Sequence, residues 1–370
     1  MKVVSVFGAR PQFVKAALVS RQFRRCEVQE VAINTGQHYD ELMSDVFLRE
    51  LQMTTPDYNL EVGSATHAVQ TARILERTEE VLIQEQPDAV IVYGDTNSTV
   101  GGSLAAAKLH IPVVHVEAGL RSFNRRMPEE LNRIVTDHLS DLLLAPSVAA
   151  AARLLDEGIP KSKVTIVGDI MYDAVLAHLD LAERSTLLKR LSLETQGYVL
   201  CTVHRAENTD DPQRLSRLVQ ALTTVSGYLP VVFPVHPRSR KAMEFSGLKV
   251  TSEGRLLLID PVGYLDMLAL ERNAAVVSTD SGGVQKEAFF LGVPCVTLRN
   301  ETEWTELVDA GWNTLAPPDG SVDISGMILS AVGRKGLPGV QPYGDGNAAK
   351  KICAAVTGLC ASAQVSLEAV

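Results

Sequence analysis

The sequence predicts an α/β protein made of two doubly wound parallel sheets, and three observations lead there. Strand-like runs of β-branched residues alternate with helix-period runs from one end to the other, the pattern of repeated βαβ crossovers. Ten such strand runs are too many for one compact sheet and suit two halves. The charged and imidazole residues gather just after the strand runs, where open α/β sheets bind ligands.

In chain order, the expected strands are 3–7, 29–34, 89–93, 113–117, 164–168, 198–203, 230–235, 255–259, 274–279 and 294–298. Most are short and uniformly apolar, as strands covered on both faces are. Helical periodicity marks Val14–Arg24, Thr66–Gln84 and Leu215–Val225. Pro128 reads as the first residue of a helix carrying Leu131, Ile134, Val135, Leu139 and Leu142. A helix carrying Val284, Ala288, Phe289 and Leu291 stops at Gly292-Val293-Pro294. The polar stretch 176–196 reads as the crossover between halves. It divides the chain into domains 1–170 and 171–345, with the closing segment 346–370, helical near Ala348–Leu359, packing back on the first.

Composition narrows the function. The 370 residues are 46% hydrophobic and 21% charged, an ordinary globular balance. A net charge of −9 without a basic stripe argues against nucleic acid as a partner, yet leaves room for a local cationic cluster that binds phosphate. The five cysteines are scattered, with no CxxC and no zinc-ligand spacing; Cys201 and Cys295 sit in apolar strand patterns as small core residues. A reducing, cytoplasmic setting is expected. No run of about 18 apolar residues predicts a membrane span.

The polar clusters carry the chemistry. Strand 3–7 empties into Gly8-Ala9-Arg10-Pro11-Gln12, with Lys15 one turn later, and strand 89–93 into Gly94-Asp95-Thr96. Glu117 directly follows Val113-Val114-His115-Val116, so it is expected to be largely buried, and a buried carboxylate needs a partner or a task. Glu129 and Glu130 fall in a first helical turn, where acids also serve the helix dipole. In the second half the strands end at His204-Arg205 and at His236. Thr279-Asp280-Ser281-Gly282-Gly283 sits on a strand-to-helix turn. The absent Cβ atoms at 282 and 283 let a pyrophosphate reach the first helical N–H groups, and Glu287, one turn in, can accept from a ribose diol.

Together these motifs resemble the non-hydrolysing UDP-N-acetylglucosamine 2-epimerase family nearly end to end. The resemblance is carried by Gly8-Ala9-Arg10-Pro11 with Lys15, Thr35-Gly36-Gln37-His38, Gly94-Asp95-Thr96, His115-Val116-Glu117-Ala118-Gly119-Leu120-Arg121, Pro128-Glu129-Glu130-Leu131-Asn132-Arg133, His204-Arg205-Ala206-Glu207-Asn208, Pro234-Val235-His236 and Thr279-Asp280-Ser281-Gly282-Gly283. It implies two Rossmann-like domains in the glycosyltransferase-B arrangement, a homodimer, and a UDP-sugar substrate handled without cofactor or metal. The implied reaction expels UDP from C1 while the C2 proton is removed, leaving a 2-acetamidoglycal to which UDP adds back. By the same matching Asp95, Glu117, Glu129 and His204 are the catalytic positions. Arg10, Lys15, Arg205, His236, Ser281, Gly282 and Gly283 hold the nucleotide sugar, Glu287 its ribose, and Gln37 and His38 belong to a regulatory UDP-sugar site.

This chain also departs from the commoner family pattern. Trp304 stands where many members have Arg before Pro, Val262 and Met267 replace Gln and Phe, Pro237-Arg238 follows His236, and Asp40 replaces a neutral residue beside the regulatory site. The departures around the sugar and base admit a UDP-2,3-diacetamido-glucuronic acid substrate; a second alternative, which the shared motifs leave open, is a hydrolysing epimerase that releases N-acetylmannosamine and UDP.

Overall fold

The computed structural model describes residues 1–37, 53–247 and 255–368; for residue 10 and for 361–368 it describes backbone only. The chain divides into two compact units, Met1–Leu176 with Gln341–Val370, and Ala177–Val340. The first division falls inside the helix Ile170–Ala182.

The first unit is a seven-stranded sheet of β1 (Lys2–Phe7), β2 (Gln29–Asn34), β3 (Tyr58–Asn59), β4 (Ala89–Tyr93), β5 (Val113–Val116), β6 (Leu142–Ala145) and β7 (Val164–Ile166). Their order across the sheet is β3-β2-β1-β4-β5-β6-β7, every pairing parallel. The chain moves outward one way from β1, then returns to β4 and moves the other way. The switch therefore lies between β1 and β4, and a ligand crevice opens beyond their carboxyl ends. Four helices position what lies there: α1 (Arg10–Arg25), α2 (His67–Glu85), α3 (Asn97–Lys108) and α4 (Pro128–Leu139). Val4, Val6, Ile33, Val90 and Val92 of the strands close on Ile74, Val81 and Ala105 of α2 and α3. The C-terminal helix Ala348–Glu368 packs on α1, its first N–H groups, from Ala348 and Ala349, donating to Asp173.

The second unit repeats the plan with β8 (Val199–Thr202), β9 (Val231–Pro234), β10 (Leu256–Ile259), β11 (Val276–Thr279), β12 (Cys295–Thr297) and β13 (Asn313–Leu315). The order β10-β9-β8-β11-β12-β13 puts its switch between β8 and β11. Here α5 (Pro237–Phe245) and α6 (Gly282–Phe290) follow β9 and β11. Cys201 and Cys295 are buried core residues, and burial pushes the Cys295 thiol up to about 12.

Three local expectations need correction. The periodic helix over residues 128–142 stops at Leu139: Ser140 turns to extended backbone, its hydroxyl donating to Thr136 O at 2.7 Å, and Leu142 starts β6. Its fully apolar LLLA run is a strand buried on both sides, which periodicity alone does not distinguish from helix. β3 and β13 are, like β6, absent from the expected strands: β3 is only two residues long, and β13 (Asn313-Thr314-Leu315) has a single large apolar residue, so neither shows a strand pattern. Among the described residues no helix is long and apolar enough to cross a membrane.

Candidate active site

At the end of β1 stands Gly8. A Cβ there would collide with Thr35 Oγ1 and lie 2.6 Å from Ser98 Oγ, so only glycine fits. Gln12 folds back from the first turn of α1, its Oε1 accepting the N–H groups of Gly8 and Ala9 at 2.9 and 3.0 Å. Its Nε2 donates to Tyr93 O at 2.7 Å, which ties the ends of β1 and β4 together. Arg10 opens α1. Lys15 lies one turn further on and is buried, its ammonium donating to Glu117.

Beyond β4 the chain passes through Gly94 in left-handed backbone (φ +62°); a Cβ there would lie 3.4 Å from both Glu117 Oε2 and Lys15 Nζ. The turn carrying Asp95 thus lies against the Lys15–Glu117 pair. Asp95 accepts from Arg133 Nε at 2.9 Å and Nη2 at 2.6 Å, and Asn132 Nδ2 donates to its carbonyl at 2.9 Å. Glu117 itself has φ +73°, a left-handed conformation that costs a non-glycine residue about 1–3 kcal/mol. The neighbouring strand β6 holds it there, because Leu144 O accepts the N–H groups of both Glu117 and Ala118 at 3.1 and 3.2 Å.

Glu129 and Glu130 part company in the first turn of α4. Glu129 is exposed, whereas Glu130 is only 1% exposed and accepts from Ser122 N, Ser122 Oγ, Phe123 N and Arg133 Nη1 at 2.8–3.0 Å. Gln37 sits at the start of α3, its Oε1 accepting from Ser98 N at 2.9 Å and Ser98 Oγ at 2.7 Å. His38 and Asp40 lie outside the described residues.

In the second unit, Asp280 organises the strand ends. It is wholly buried and accepts from His204 N at 3.0 Å, Arg205 N at 3.0 Å and Asn208 Nδ2 at 3.1 Å, with His204 Nδ1 3.2 Å away. Burial opposes its ionisation, but the His204 ring, the Arg205 N–H and the Asn208 amide more than offset this and hold it below the usual carboxylate range. His204 lies against His236, their ring centroids 5.8 Å apart, and His236 Nδ1 accepts from Arg238 N at the start of α5.

Ser281 takes the N-cap position of α6, but its hydroxyl makes no capping hydrogen bond there. The first N–H groups of α6 have no partner within the helix and carry its positive dipole end. A Cβ on Gly282 would lie 3.4 Å from Trp304 Nε1 and 3.7 Å from Arg205 Nη2, so an indole N–H and a guanidinium flank this N-terminus. Lys286 lies over the Trp304 ring at 4.0 Å, and Glu287 is buried one turn into α6. This is an anion cradle of the kind that holds phosphate.

Each unit therefore gathers its own candidates. The first joins Lys15, Glu117 and the Asp95 turn, and the second joins His204, His236, Arg205, Ser281, Gly282 and Gly283. Trp304 is legible in sequence only as a departure. The clamp of Arg133 on Asp95 becomes visible once α4 is placed, since Arg133 stands one turn beyond Glu129.

Comparison with known proteins points to one family along nearly the whole chain. A family model described as UDP-N-acetylglucosamine 2-epimerase matches residues 21–357. A Methanococcus maripaludis protein named as a homologue of UDP-N-acetylglucosamine 2-epimerase is 52% identical, covering 85% of this chain and 88% of its own. The Pseudomonas aeruginosa UDP-2,3-diacetamido-2,3-dideoxy-D-glucuronate 2-epimerase is 46% identical over 95% of this chain and 98% of its own. Among solved structures, Methanocaldococcus jannaschii UDP-GlcNAc 2-epimerase in complex with UDP-GlcNAc and UDP is 40% identical with a TM-score of 0.90, covering 96% of this chain and 99% of that one.

Proposed function

This chain belongs to the UDP-N-acetylglucosamine 2-epimerase family, and from that premise we propose that it interconverts UDP-N-acetylglucosamine and UDP-N-acetylmannosamine. The observation that carries the reading is the buried Lys15–Glu117 pair beside the Asp95 turn, at the carboxyl ends of β4 and β5.

The C2 proton of a 2-acetamido sugar is not next to a carbonyl, so direct deprotonation is too costly. In the proposed reaction a carboxylate takes the C2 proton as the C1–O bond breaks and its electron pair leaves with UDP. The C1–C2 double bond of a 2-acetamidoglycal remains. UDP then attacks C1 again while a carboxylic acid returns a proton to the opposite face of C2, so the overall change is an inversion with nothing consumed. Asp95, Glu117 and Glu129 supply the acid–base groups. The second unit's cradle of Ser281, Gly282, Gly283 and Arg205, with His204 and His236, stabilises the departing pyrophosphate, and Arg10 is a further phosphate-binding position. Glu287 accepts from the ribose. Lys15 binds the nucleotide sugar and also pairs with Glu117, balancing its charge. Gln37 and His38 belong to a regulatory UDP-sugar site. The working form is a cytoplasmic homodimer.

A specific observation favours a second substrate. The P. aeruginosa diacetamido-glucuronate epimerase, at 46% identity, is no less similar than the M. jannaschii enzyme at 40%. Proton NMR with each UDP-sugar in deuterated water separates the readings. Deuterium at C2 with a UDP-N-acetylmannosamine product supports the first, exchange only with the diacetamido uronate supports the second, and free N-acetylmannosamine plus UDP shows hydrolysis. No exchange with either sugar would sink the epimerase reading.

A further inference from the structure

Between the Asp95 turn and Glu117 lies a buried histidine with no role in the proposed chemistry. His115 is in β5 and fully buried, and both of its ring nitrogens face acceptors. Nδ1 is 2.7 Å from Asp137 Oδ1, and Nε2 is 2.7 Å from the carbonyl oxygen of Gly94. A backbone carbonyl only accepts, so Nε2 carries a hydrogen. A neutral ring would then leave Nδ1 bare against a carboxylate, which the carboxylate could relieve only by holding a proton itself.

The surroundings of Asp137 oppose that. Its other oxygen lies 2.7 Å from Arg121 Nη1 and accepts Gly119 N at 3.2 Å, two donors that favour the anion. Burial disfavours charge on Asp137, yet the His115 ring and Arg121 more than offset it and hold the carboxyl below its usual range. Arg121 in turn makes a two-pronged contact with Glu157, both bonds 2.7 Å. Counted this way, the cluster is two cations, His115 and Arg121, and two anions, Asp137 and Glu157. The Lys15–Glu117 pair across Gly94 also cancels, as does Asp95 with Arg133.

We infer that His115 is a doubly protonated positioning residue: an imidazolium, held by Asp137, that fixes the Gly94 carbonyl and with it the spacing of Asp95 and Glu117. The Gly94 peptide is gripped at both ends by β5, its N–H donating to Val116 O at 3.0 Å and its carbonyl accepting from His115. Asp95 is the next residue after Gly94, and Glu117 is two beyond His115. Asp137 also holds Gly119, so one carboxylate braces the backbone on both sides of Glu117. The positioning role rests on the acid–base assignment of Asp95 and Glu117; the charge of the ring does not.

The test begins with the intact chain. In ¹⁵N-histidine-labelled protein at neutral pH, long-range nitrogen–proton spectra, with His115 assigned through its own β-carbon, are expected to show both ring nitrogens protonated. One protonated and one bare nitrogen would overturn the inference whether or not the chain is an epimerase. Kinetics then address the role. His115→Asn is expected to lower kcat by about a hundredfold, the scale of a misplacement of about 1 Å, with the affinity for UDP unchanged. Asp137→Asn, which keeps the shape but removes the charge, is expected to leave one ring nitrogen of His115 without its proton in the same spectra and to lower kcat with UDP affinity unchanged. A folded His115→Asn protein with wild-type kcat, or both nitrogens still protonated in Asp137→Asn, would overturn the inference. Should His115→Asn fail to fold, the spectra and the Asp137→Asn kcat decide.

Discussion

The Lys15 ammonium donates to the Glu117 carboxylate where each side chain is only 8% exposed, joining residues 102 apart in sequence. Removing one member of a buried pair strands the other, and the penalty is about 3–5 kcal/mol. Lys15→Met is therefore expected to lower the unfolding free energy by about that amount in urea titrations. Glu117→Gln keeps a hydrogen-bonding side chain in place and should retain UDP binding while C2 deuterium exchange falls by at least about a hundredfold. Near-normal exchange in Glu117→Gln would remove this residue from the chemistry.

At the start of α6, stability and binding are expected to move in opposite directions. A Cβ on Gly283 meets nothing nearer than Ser281 Oγ at 3.9 Å, and the residue lies in ordinary helical backbone. Gly283→Ala should thus stabilise the fold by about 0.4–1 kcal/mol, chiefly by restricting the unfolded chain. The same methyl covers the N–H groups that a pyrophosphate approaches, so calorimetry is expected to show UDP bound at least about tenfold more weakly, a loss of about 1.4 kcal/mol. Unchanged affinity would place the pyrophosphate elsewhere.

Asp280 sets a pH dependence whose sign follows from its neighbours. Its folded-state proton affinity is depressed, so the unfolded chain takes up a proton first as pH falls. The stability it contributes is present above the ordinary carboxylate value of about 3.9 and is lost as pH drops from there toward the lower folded value. Urea denaturation between neutral pH and about pH 3 should therefore show a shallower acid loss in Asp280→Asn than in wild type, from a lower starting stability. An equally steep acid limb in both proteins would mean that His204, Arg205 and Asn208 do not hold the anion.

What the sequence conveys depends on how local the cause is. β4 coincides with the run expected at 89–93 because a strand covered on both faces shows an unbroken, mostly β-branched apolar run; β2 also matches 29–34, although only Val31, Ala32 and Ile33 of it are buried. The burial of Glu117 follows from the four apolar-strand residues before it. Its partner does not: Lys15 meets Glu117 only because β1, β4 and β5 are neighbours in the sheet, and no spacing rule joins α1 to the end of β5. The same holds for His115 with Asp137 and for Asp95 with Arg133, each a contact made when α4 docks over the strand ends. Leu142 misleads for the converse reason, matching the helical period although Ser140 has already turned the chain.

The two adjacent acids of α4 give the sharpest contrast between structure and chemistry. Glu130 is enclosed and accepts three hydrogen bonds from Ser122 and Phe123 besides its bond from Arg133. In Glu130→Gln one of those acceptor positions becomes an amide donor facing another donor, so a stability loss of about 3 kcal/mol is expected, with the 122–123 segment released. Glu129 is exposed, so Glu129→Gln should leave the unfolding free energy within about 0.5 kcal/mol of wild type. If Glu129 moves a proton to or from the sugar, that same variant loses C2 exchange by about a hundredfold or more. Thermal unfolding and deuterium exchange on both variants complete the comparison. A stable Glu129→Gln protein with full exchange would reduce Glu129 to a favourable charge at a helix N-terminus, and leave the proton transfers to Asp95 and Glu117.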